Sequence, residues 1–78
     1  MKLKQYEIVR VVKMLHPAEY YDGWTLNKRP PRLGDVGTIV EILNAPNLAP
    51  NYVVEAISPN GIPDWLGDFL EEELELIS

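Results

Sequence analysis

Leu33-Gly34-Asp35-Val36-Gly37-Thr38-Ile39-Val40-Glu41-Ile42-Leu43 is the stretch on which the fold turns. β-Branched residues dominate Val36–Leu43, and such side chains fit a pleated, packed surface better than a helix. Two glycines three apart at its entrance predict a tight turn followed by a bulge or a close backbone crossing. The stretch is therefore a strand entered through a turn.

Upstream, Ile8–Leu15 is also rich in β-branched residues, with Arg10 and Lys13 set among them, and predicts a half-buried strand. His16-Pro17 ends it, because proline carries no ladder donor. Downstream, Asn44–Pro50 has the composition of a surface loop. Tyr52–Ile57 predicts a third strand with Tyr52, Val54 and Ala56 on one face. Ser58-Pro59-Asn60-Gly61 suits a type I turn, with Asn60 or Gly61 in the left-handed position that closes a short hairpin. Ile62–Gly67 is the expected return strand, with Pro63 tolerable only on an unpaired side. Asp68 and Glu71 have capping-box spacing, so one short helical turn is expected before a last strand at Leu74–Ile77.

The expected class is all-β: one domain over residues 1–78, a small five-stranded antiparallel barrel with a long first loop at 16–33. Closure would remove the edges that otherwise recruit other strands. The expected core is Val9, Val11, Leu15, Val36, Ile39 and Val40, continued by Ile42, Val54, Ala56, Leu66, Phe69, Leu74 and Leu76.

A wider pattern surrounds the opening stretch. Tyr6-x-x-Val9-x-Val11 precedes Gly34-Asp35-Val36-Gly37-Thr38-Ile39-Val40-Glu41; then come Tyr52-x-Val54-Glu55, Gly61, Trp65-Leu66-x-Asp68-Phe69 and Glu73-Leu74. Across residues 6–77 this resembles a family of small bacterial SH3-like barrels catalogued only as a domain of unknown function. The glycine turn is also similar to those of SH3-like barrels of ribosomal and transcription-factor type, and of nitrile hydratase β-subunits. The resemblance implies a fold and a small partner of other proteins, a toxin–antitoxin or immunity role included; it implies no catalytic residue. The chain departs from the shorter members in its long loop, His16–Leu33.

The 78 residues suffice for one domain that buries only roughly 60 % of its unfolded surface. No cysteine is present to staple it. The net charge of −5 argues against a dedicated nucleic-acid binder. All seven basic residues fall in Met1–Arg32, whereas Leu33–Ser78 holds nine acids and no base. Two readings follow: neutralisation across neighbouring strands, or a bipolar surface that orients a charged protein partner. Apolar runs stop at about six residues, against the ~20 of a membrane-spanning helix. With no signal-peptide pattern, a cytoplasmic protein is expected.

Nucleophilic catalysis needs a nucleophile beside an oriented base. Ser58, Ser78 and a single histidine, His16, offer no such constellation, and no enzyme is expected. A lone histidine makes no metal pair, and Glu71-Glu72-Glu73 with Glu75 lacks the spacing of a calcium loop. Those glutamates are expected on the solvated face of the short turn. No metal or cofactor is expected.

One constellation remains. Tyr20, Tyr21 and Trp24 lie in the long loop beside Lys28, Arg29 and Arg32, and Trp65 lies on the return strand. Folded over the sheet, they would share a face with the polar-tipped aromatics that protein-binding surfaces use. The expected role is a non-enzymatic interaction module that binds a protein partner through these seven residues. Alternatives are a homo-oligomer or a structural subunit of a larger assembly; nucleic-acid binding through Lys28–Arg32 ranks below both. Trp65 and Trp24 have a second, purely structural reading as caps that pin the loop.

Overall fold

Five strands follow one another in the computed structural model, which describes residues 3–21 and 28–78: β1 (Ile8–Val11), β2 (Val36–Leu43), β3 (Asn51–Ile57), β4 (Pro63–Phe69) and β5 (Leu74–Leu76). Short 3-10 turns stand at Ala18–Tyr21 and Glu71–Glu73. The strands form one antiparallel sheet in the order β4-β3-β2-β1-β5. No pairing among the described residues joins β4 to β5, so the sheet is open. The all-β class holds.

Alternation gives the sheet two unlike faces. Val9 lies opposite Gly37 and Leu76, Ile39 opposite Val54, and Ala56 opposite Trp65. All of these but the half-buried Leu76 are buried, and with Tyr52, Phe69 and Leu74 they make the core. The other face carries Ile8, Arg10 and Val36, which are exposed.

Gly37 shows why the entrance needs glycine. A Cβ there would stand 2.7 Å from the Glu55 carbonyl oxygen and 2.7 Å from Val54 Cγ1. The expected close crossing is thus real, and the β2–β3 register shifts between Ile39 and Glu41. Gly34 has φ +90, the left-handed conformation its turn requires. At the hairpin the left-handed residue is Gly61, at φ +82, and its N–H donates to the Ser58 carbonyl at 2.9 Å.

Several expectations change. The first strand stops at Val11, short of Leu15, because the Leu15 and His16 N–H groups turn to the Tyr21 hydroxyl (3.0 and 3.2 Å). The last helical turn is not capped by Asp68: β4 runs on through Phe69, and Leu70 takes the cap position with extended backbone. Leu15 and Val36 are exposed, and Val40 and Leu66 only half-buried. Tyr21, Tyr52, Trp65 and Leu3 complete the core in their place. A domain this small has few aliphatic side chains to spare, and its aromatics supply the missing volume.

Candidate functional site

Tyr21 and Pro31, from the two described ends of segment 16–33, lie against the inner face of β4. The Tyr21 ring stacks on Phe69 with centroids 5.0 Å apart, and Trp65 tilts against Phe69 at 5.7 Å. Pro31 is fully buried. Gly67 leaves room for this cover: a Cβ there would meet Phe69 Cε1 at 3.2 Å, and Pro31 Cγ and the Tyr21 carbonyl oxygen at 3.4 Å.

Two carboxylates hold the described ends of the segment, Glu73 buried and Asp35 half-buried. At the first, the Tyr21 hydroxyl donates to Glu73 Oε2, an oxygen that also accepts the Leu15 N–H at 3.1 Å. Glu73 Oε1 accepts the Leu70 N–H at 2.8 Å. Glu73 is 1 % exposed, so each of these donors replaces water that its carboxylate has lost. Burial, reinforced by the hydrogen bond to Glu73, pushes the Tyr21 phenol up to about 12.

At the second, Asp35 Oδ2 accepts from Arg29 at 2.7 Å, from the Trp65 indole at 2.9 Å and from the Arg32 N–H at 3.0 Å. Burial on its own would raise the Asp35 carboxyl; the three donors and the Arg29 charge outweigh it and hold the group below its usual value. The same Arg29 approaches Asp64 at 3.8 Å. The Lys28 N–H donates to the Asp64 carbonyl at 2.8 Å, so the chain rejoins β4 along its outer edge.

The residues expected to share an exposed face therefore separate. Tyr21 and Trp65 are 1 % exposed and belong to the core. Arg29 is half-buried and engaged with Asp35. Tyr20 is 59 % exposed and stacks on His16 at 4.0 Å. Lys28 and Arg32 are exposed. Trp24 lies outside the described residues. What the two carboxylates do chemically is position: the Tyr21 phenol keeps its proton at neutral pH, and Asp35 stays ionised as a charged anchor.

Glu73 is the residue that sequence reasoning misplaced. The sequence sets it on a solvated face with Glu71, Glu72 and Glu75; those three are exposed, and Glu73 is buried. Nothing local separates three consecutive glutamates; the distinction comes from Tyr21, 52 positions away. Part of the charge asymmetry is neutralised within the chain: Arg10 pairs with Glu75 at 3.5 Å, Lys13 with Glu72 at 3.7 Å and Arg29 with Asp35 at 2.7 Å.

An open cleft of about 340 Å³ is lined by Leu3, Ile42, Asn44, Pro50, Tyr52 and Glu71. Among the described residues no group of three His, Cys, Asp or Glu side chains could hold a metal ion, and no helix is long and apolar enough to cross a membrane. Comparison with family models, curated proteins and solved structures gives no match.

Proposed function

We propose that the chain is a small SH3-like barrel acting as a non-enzymatic protein-interaction module, with segment 16–33 as the binding element. The strand order, with β5 returning beside β1 after a 3-10 turn, fits that architecture. The observation that carries the reading is how firmly the segment is held. A connection this long is rarely kept in a compact domain without a use, and here a buried carboxylate, Glu73, and a half-buried one, Asp35, are committed to fixing its two described ends.

Tyr21, Arg29 and Trp65 are the framework in this reading, and Tyr20, Lys28 and Arg32 the contact residues. An exposed aromatic and two exposed cations suit an acidic segment of a protein partner. The test is affinity capture from native lysate with wild type and with a Tyr20→Ala/Lys28→Glu/Arg32→Glu variant whose circular dichroism matches wild type. The expected result is one protein retained by wild type and lost by the variant. Equal recovery by both would remove the segment as the binding element.

A further inference from the structure

The side of the sheet away from segment 16–33 carries a surface that the interaction reading leaves unused. Arg10 lies opposite Glu75 on β5 and opposite Val36 on β2. One step along the same face, the Ile77 N–H donates to the Ile8 carbonyl at 2.7 Å, so these two isoleucines are neighbours across the same pair of strands. Ile8 is 38 % and Ile77 43 % exposed, and Val12 and Val36 flank them in the open. An ion pair, Arg10 to Glu75 at 3.5 Å, thus sits beside two exposed isoleucines on adjacent strands.

From this arrangement we infer that the β1–β5 face pairs with a second copy of the chain. A two-fold interface requires a patch complementary to itself. An axis along the strands, midway between β1 and β5, lays each strand over the other strand of the second copy. Arg10 then faces the second copy's Glu75, and Ile8 faces the second copy's Ile77. Both charges and apolar groups match under that one operation. An axis across the strands instead sets Ile8 over Arg10 and matches neither.

Each copy carries −5, so two copies repel wherever acid meets acid. On this face the cation of β1, Arg10, and the acid of β5, Glu75, each meet the opposite charge of the second copy under that two-fold. The overlap spans two strands only, well under a standard interface, so the dimer is weak and exchanges rapidly.

The test is sedimentation equilibrium from low micromolar to near-millimolar protein. Wild type is compared with Arg10→Glu, Glu75→Arg and the Arg10→Glu/Glu75→Arg double variant, each checked for fold by circular dichroism. The expected result is a wild-type mass that rises toward two chains. Each single charge reversal should weaken association about tenfold or more, and the double swap should restore it. A one-chain mass for wild type at the highest concentration would overturn the proposal, as would single variants that associate as tightly as wild type. Should a single variant unfold, Ile8→Ser takes its place, with weakened association expected and unchanged association counting against the face.

Discussion

The Tyr21 hydroxyl and the Glu73 carboxylate meet in the interior although 52 positions separate them. The hydroxyl also accepts the His16 N–H and shares the Leu15 N–H with Glu73 Oε2 just beyond the end of β1. One phenol therefore serves both a buried acid and the backbone that leaves a strand. Tyr21→Phe keeps the ring on Phe69 and removes only these bonds. It should cost about 1–3 kcal/mol, the penalty for buried polar groups that lose a partner. Urea denaturation measures it, and a loss of only a few tenths would show that the pair contributes little.

Alkaline pH should loosen the same contact. Tyr21 holds its proton to about 12 in the folded chain, above the ordinary 10.0, so its share of stability is complete below pH 10 and disappears as pH climbs toward 12. Tyr52 shifts the same way, first through burial and then through the charge of Glu71. Melting temperature should therefore fall across that range, and less steeply in Tyr21→Phe. An identical slope in the variant would assign the loss to other groups.

Asp35 governs the acid side. Its carboxyl is held below the ordinary carboxylate value, so the stability it contributes is present at neutral pH and is lost as pH falls through and below that range. Asp35→Asn should lower stability at neutral pH by about 1–2 kcal/mol, since a charged acceptor for Arg29 and Trp65 becomes a neutral one. Denaturation at several pH values should give the variant a shallower acid limb.

Gly37→Ala offers a purely steric check. The added methyl would lie 2.7 Å from the Glu55 carbonyl oxygen, a backbone atom that cannot swing aside. The β2–β3 crossing must open, at about 1–3 kcal/mol. A variant as stable as wild type would mean that the two strands separate at no cost.

Much of the fold was legible because its signals are local. Val36–Leu43 is bounded by its own β-branched run, and Gly61 by the turn it closes. The faces of β1 follow from alternation, which needs no knowledge of what covers them, whereas in β3 Val53 is buried beside Tyr52 and Val54 against that alternation. The extent of the first strand was not legible: Ile8–Leu15 looks continuous, but beyond Val11 the Val12 and Leu15 N–H groups go to Glu73 and the Tyr21 hydroxyl, which lie outside the strand. The candidate site was legible as a segment and opaque in its orientations. Tyr20 and Tyr21 are adjacent and alike, yet one lies in solvent and the other in the core. Trp65, equally opaque, is claimed by Phe69 and Asp35. Composition shows that aromatics are present; only the assembled sheet decides which of them it needs.

The placement of β5 beside β1 also bears on how the chain reaches this state. Val9 pairs with Leu76, so the first strand in chain order finds one of its two neighbours only in the last strand, far along the sequence. The β2–β3–β4 meander can form early from contacts close in sequence, whereas β1 waits half-paired. Closing so long a loop is slow relative to hairpin formation. The rate-limiting step of folding is then expected to be the docking of β5 rather than the building of the meander.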